Sequence, residues 1–91
     1  SHGALIAVVT FGATLTATVR QSGWLSDDEF ERISPPLEAE LTRKVLESLG
    51  GDEWPASSER LERLIRRSLG PLVAEVARGR KPRLVPVAVQ G

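Results

Sequence analysis

The sequence predicts an α+β domain, in which two helices pack on one face of a three-stranded sheet in the order β-β-α-α-β. Two apolar segments near the start, 4–11 and 14–20, are rich in β-branched residues or alternate with period two, as strands do. Two later segments repeat apolar residues every three or four positions, as amphipathic helices do. A short apolar run, 83–90, closes the chain as a third strand.

The first strand is apolar on both faces. Leu5, Ala7 and Val9 point one way, and Ile6 and Val8 point the other. A strand of this kind is central in its sheet or has its second face covered. The second strand has one face of threonines that we expect to be solvated. Gly12-Ala13 between the strands predicts a two-residue type II′ hairpin turn.

The first helical region begins with a capping box at Ser26–Glu29, which predicts a short helical turn through about Arg32. Ser34-Pro35-Pro36 then predicts a restart, with proline at the first helical position. Gly50-Gly51 should end this helix. Its apolar stripe consists of Leu37, Leu41, Val45 and Leu49.

The last helix has the longer apolar stripe, from Leu61 to Val76. Residues 52–57 precede it as a loop, and Ser58 is its expected N-cap. Gly70-Pro71 should bend it, and Gly79 is its expected C-cap.

The final strand, Arg83–Gln90, carries Pro86 in its middle. Proline has no N–H to donate, so we expect the strand at an edge or with Pro86 turned away from its partner.

Composition limits the class of protein. The chain has 91 residues, so we treat 1–91 as one domain, and it has no cysteine, which is compatible with a cytoplasmic location. No apolar run has the length of a membrane span. The chain lacks an initiating methionine, which suggests that it is a piece of a longer protein.

The sequence lacks the residues that common catalytic sites need. The single histidine, His2, cannot build a histidine-rich metal site or a catalytic triad by itself. The acidic cluster Asp27–Glu31 lies where a helix start favours negative charge. We therefore predict no catalytic, cofactor-binding or metal-binding residue in this chain.

Basic side chains are the remaining functional candidates. Residues 1–56 hold four basic and nine acidic side chains, whereas residues 57–91 hold eight basic and three acidic ones. This asymmetry could orient the domain on a polyanion, or the two halves could simply attract each other. The candidate contacts to RNA phosphates are Arg63, Arg66, Arg67, Arg80, Lys81 and Arg83. For residues 78–81, stabilisation of the helix C-terminus is an equally good explanation.

The stretch from Leu61 to Gln90 resembles the C-terminal end of bacterial ribonuclease J. Members of that family finish with an arginine-rich amphipathic helix, a basic pair and a Pro-Met-Ile-Leu-Pro-Val segment, which Arg80–Val87 matches in this chain. Gly23-Trp24 lies where the family often has Arg-Gly-Phe. Three positions depart from the family pattern. Arg83 replaces the usual methionine, Ser22 stands in place of the arginine, and Gln90 lies where an acidic residue is common.

The resemblance implies a larger parent, of which this chain is the non-catalytic C-terminal domain. The parent would be a 5′-to-3′ exoribonuclease and endoribonuclease of RNA processing and decay, with metallo-β-lactamase and β-CASP domains. Its divalent metal, zinc or manganese, would lie in those missing domains. The resemblance also implies a three-stranded sheet with two helices, and a role in self-association and full activity. The alternative is a free-standing α+β module that binds nucleic acid through its basic helix and C-terminal cluster.

The apolar faces of the first and last strands predict a protein contact. Two helices can cover only one face of the sheet, and soluble monomers rarely expose a large apolar patch. We expect Ile6, Val8, Val85 and Val87 to take part in a homodimer or in contact with the parent's catalytic domains, although register decides which face points outward. The alternative is that loop 21–36, with Trp24 and Phe30, covers that face.

Overall fold

The computed structural model describes residues 2–50 and 57–91 and confirms the order β-β-α-α-β. Its five elements are β1 (Ala4–Phe11), β2 (Leu15–Ser22), α1 (Asp27–Leu49), α2 (Ser58–Ala77) and β3 (Arg83–Gln90). The sheet order is β2-β1-β3, with β2 antiparallel and β3 parallel to β1. The first strand of the chain is therefore the central strand of the sheet, which is one of the two arrangements that its apolar faces predict.

Both helices cover the same face of the sheet, with α1 over β2 and α2 over β3. On that face Leu5, Ala7 and Val9 of β1 are fully buried. They meet the fully buried Leu41 and Val45 of α1, together with a stripe from α2. The buried apolar residues of that stripe are Leu61, Ile65, Leu69, Leu72, Val73 and Ala77.

The hairpin between β1 and β2 differs from the predicted type II′ turn. The strands end at the pair Phe11 and Leu15, so the connection has three residues, Gly12–Thr14. Gly12 does not have the positive φ that a type II′ turn requires at that position. Its N–H instead donates to the carbonyl of Thr14 at 3.2 Å.

Helix α1 is one helix of 23 residues, and the predicted restart at Ser34 is wrong. The capping box at Ser26 and Glu29 is confirmed, but the helix continues through Pro35 and Pro36. These prolines remove the bonds to the carbonyls of Glu31 and Arg32. Both of those residues are exposed, so water can take the place of the lost donors.

The ends of α2 lie one residue before the predicted caps. Ser57 is the N-cap, and its hydroxyl accepts from the N–H of Arg60 at 3.2 Å. Arg78, with φ 47°, is the C-cap, and Gly79 follows it with φ 87°. Gly70-Pro71 lies inside this single helix and does not divide it. The predicted loop 52–57 lies outside the described residues, except for Ser57.

Trp24, just before the start of α1, contacts the segment that follows the end of α2. It is buried, and its Nε1 donates to the carbonyl of Arg80 at 2.7 Å. Phe30 packs edge-to-face on it, with ring centroids 6.5 Å apart. Both rings belong to the core between the helices and the sheet. The alternative that loop 21–36 covers the opposite face is therefore wrong.

Alanine at Gly3 should destabilise the domain more than alanine at Gly23. Both glycines have positive φ, which costs other residues about 1–2 kcal/mol. A Cβ at Gly3 would in addition overlap the backbone of Ser22 and Gly23, whereas a Cβ at Gly23 meets nothing within 4 Å. Urea denaturation of both variants measures the difference, and equal losses would contradict the packing of the chain start against the end of β2.

Candidate functional site

The sheet face turned away from the helices, here called the outer face, contains the predicted contact residues. The register places Ile6 beside Val85 and Val8 beside Val87, all four of them half-buried. Val89 continues the row and is 41% exposed. None of these five side chains belongs to the core cluster. The structure thus decides the register question, and the four predicted residues do share the outward face.

The outer face has a polar half and a basic end. Along β2 it presents Thr16 and Thr18, which lie beside Thr10 and Val8. Arg20, beside Ile6, and Arg83, beside Ala4, lie at the end where β1 begins. No acidic residue lies on this face of the three strands. A surface complementary to this face would therefore be apolar and would carry no cations at that end.

The two edges of the sheet are poor places for a further strand. On the β2 edge, the carboxylate of Glu38 in α1 accepts the N–H of Val19 at 2.8 Å. On the other side, Arg83 and Gly91 donate to the carbonyls of Gly3 and Phe11 in the β1 ladder. Since donors alternate along a parallel strand, the even residues of β3 face the open edge. Pro86 is one of these even residues, and because it has no N–H it interrupts the row of backbone donors along this edge. Association through the outer face is therefore easier than addition of a strand at an edge.

The structure divides the six predicted phosphate contacts into three places. Arg63, Arg66 and Arg67 lie near the start of α2, and Arg80 and Lys81 lie beyond its end, which is more than about 15 Å away along the helix axis. Arg83 lies on the outer face, on the other side of the sheet from α2. The six side chains therefore do not form one continuous surface.

Arg80 and Lys81 have structural contacts. The guanidinium of Arg80 lies 3.9 Å from the carboxylate of Glu29, and its carbonyl accepts from Trp24. The carbonyl of Lys81 accepts from the N–H of His2 at 3.1 Å. Residues 80 and 81 therefore connect the end of α2 with the start of α1 and with the start of the chain.

Three arginines line one groove between the end of α1 and the start of α2, here called the arginine groove. Its volume is about 340 Å³, and it is lined by Ser48, Leu49, Arg60, Arg63, Leu64 and Arg67. Within residues 2–50 and 57–91 none of its arginines forms an ion pair. Arg60 belongs to the basic set of the last helix but was not among the six predicted phosphate contacts, although Arg60, Arg63 and Arg67 have the i, i+3, i+7 spacing of one helix face.

Arg66 does not line the arginine groove. It lines a second groove with Glu59, Glu62, Arg63 and Pro86. Two carboxylates there reduce the attraction for an anion, so Arg66 is a weaker phosphate contact than the sequence suggested.

In the described part of the chain, no group of three or more acidic or histidine side chains could hold a metal ion. Neither α1 nor α2 combines the length and the apolar character that a transmembrane helix needs.

Comparison with known proteins gives no family assignment. The chain matches no protein-family model and no curated protein sequence.

The capping box gives a prediction about pH. The hydroxyl of Ser26 donates to the carboxylate of Glu29 at 2.9 Å, and this bond is the main reason why the pKa of Glu29 lies below its ordinary value of 4.5. A lowered folded-state pKa stabilises the fold above the unfolded pKa, and that stabilisation is lost as pH falls through the folded value. In an NMR titration, Ser26→Ala should raise the Glu29 midpoint, and Arg80→Gln should raise it less. An unchanged midpoint in Ser26→Ala would contradict this origin.

Proposed function

We propose that this chain is a non-catalytic accessory domain of a ribonuclease J-like enzyme of RNA processing and decay, and that it contributes to self-association of its parent. In this proposal the parent acts in the cytoplasm as an exoribonuclease and endoribonuclease. Its divalent metal, zinc or manganese, lies in metallo-β-lactamase and β-CASP domains outside this chain.

The resemblance of residues 61–90 to the end of ribonuclease J is the sequence support for this proposal. That resemblance implies a three-stranded sheet with two helices, and the chain has this architecture. The architecture is compatible with the proposal but also with other α+β modules, since one fold supports many functions.

The outer face is the observation that carries the self-association. Its row of Ile6, Val8, Val85, Val87 and Val89 lies on a sheet whose other face is fully used by the two helices. Glu38 occupies one donor of the β2 edge, and Pro86 removes one donor from the β3 edge, so both edges are poor places for a further strand. A partner that covers this row gains hydrophobic stabilisation in proportion to the apolar area that it removes from water.

We take a second copy of the chain as the partner, because two-fold contacts dominate among soluble homo-oligomers. Stacking with the strands of the two copies in opposite directions brings the apolar rows together. It also places Arg20 and Arg83 of each copy at opposite ends, so that the like charges stay apart. Contact with the parent's catalytic domains is the competing outcome.

Val87→Glu should convert a concentration-dependent dimer into a monomer, because the carboxylate would be buried without a partner in the contact. Sedimentation equilibrium over a wide concentration range measures this, and Val87→Thr is the matched control of similar shape. Circular dichroism should give the same folded spectrum for all three proteins. A native chain that stays monomeric throughout, with a stable Val87→Glu variant, would contradict self-association through this face.

The purified chain should not cleave RNA, because the proposed active site lies outside it. Labelled single-stranded RNA incubated with the chain and manganese should remain intact. Cleavage that follows the chain through every purification step would contradict the assignment as an accessory domain.

A second candidate is a free-standing nucleic-acid-binding module, and the arginine groove is the observation that favours it. The length of the parent reading frame separates the two candidates. An upstream HxHxDH-type segment, several hundred residues away, favours the accessory domain, whereas a short frame that ends with this chain favours the module.

A further inference from the structure

We propose that the arginine groove binds the phosphodiester backbone of single-stranded RNA, with Arg60, Arg63 and Arg67 as the phosphate contacts. The choice of RNA rests on the proposed function, in which the parent acts on RNA. The position of the groove and the charge of its described lining are independent of that function.

The groove concentrates positive charge without compensation in the described part of the chain. Its described lining contains three guanidinium groups and no carboxylate. Arg63 also borders the neighbouring groove that contains Glu59 and Glu62, whereas Arg60 and Arg67 do not. Arg43 on α1, by contrast, is paired with Glu40 at 2.9 Å and with Glu47 at 2.6 Å. Among the described residues, Arg60, Arg63 and Arg67 therefore have no ion pair that a bound anion would have to displace.

Helix dipoles do not account for this charge. Arg60 lies in the first turn of α2, where the partial charge of the helix end is positive and cations are unfavourable. The C-terminus of α1 lies beside the groove at Ser48 and Leu49, but it contributes only about half a negative charge. Three guanidinium groups exceed what that helix end can balance.

The dimensions of the groove fit a strand of phosphates. From Arg60 to Arg67 the helix advances about 10 Å, a length that can accommodate more than one phosphate of an RNA strand. Guanidinium groups bind phosphate oxygens through two parallel N–H donors. Leu49 and Leu64 give the groove an apolar floor, and the hydroxyl of Ser48 is a further hydrogen-bonding group for a phosphate or a ribose.

The test is fluorescence anisotropy with a short labelled oligouridylate at low salt. Arg63→Gln combined with Arg67→Gln should weaken binding by about tenfold or more, as expected when charged hydrogen-bond donors are lost. Arg60→Gln alone should reduce the slope of log affinity against log salt by about 1. Arg66→Gln is the matched control, because it removes the same charge from the same helix outside the groove, and it should have less than a twofold effect on the affinity.

Three results would overturn the proposal. The native chain could fail to bind the oligonucleotide at low salt, or Arg66→Gln could weaken binding as much as Arg60→Gln, which removes the same single charge and would reduce the effect to net charge. An oligoglutamate peptide could bind more tightly than the RNA with the same dependence on the groove arginines, which would assign the groove to an acidic protein.

A failure of RNA binding by the arginine groove can be distinguished from a failure of the proposed self-association. The groove variants should sediment like the native chain, because their side chains lie on the helical side of the domain. Conversely, Val87→Glu should retain RNA binding for each protomer, since the groove does not include the outer face.

Discussion

Strand β1 is hydrogen-bonded on both edges, antiparallel to β2 and parallel to β3. The parallel pairing joins the first strand of the chain to the last, and a parallel connection needs a long crossover. Helices α1 and α2 form that crossover and cover the face on which Leu5, Ala7 and Val9 are fully buried. The helical layer, the core and the outer face all follow from the central position of β1.

The order of the elements could be predicted from sequence because each has a strong local pattern. The continuity of α1 could not, since two prolines at 35 and 36 favour a boundary by local rules. The tertiary packing is stronger than that preference: Phe30 and Ile33 extend the stripe of Leu37, Leu41 and Val45 backwards through the prolines. The spacing 30, 33, 37, 41, 45 was present in the sequence as a signal of one helix.

The candidate site was only partly predictable. Strand alternation places Val85 and Val87 on one face, but the choice of outward face depends on where the helices pack, which is a property of the whole fold. The basic residues show the opposite difficulty. Arg63, Arg66 and Arg67 are neighbours in sequence, yet Arg67 lines only the groove of arginines, Arg66 only the groove that contains Glu59 and Glu62, and Arg63 lines both. Counting charges along the chain cannot tell which of these arginines lie beside carboxylates in the fold.

The two proposed surfaces are compatible because they lie on opposite sides of the sheet. In a pair formed through the outer faces, each copy keeps its helical layer and its arginine groove turned away from the contact. Such a pair presents two phosphate-binding grooves, and linked sites raise the apparent affinity when one strand can reach both. A weak contact to RNA phosphates in a single domain would then become stronger in the assembled parent, without any additional base-specific contact.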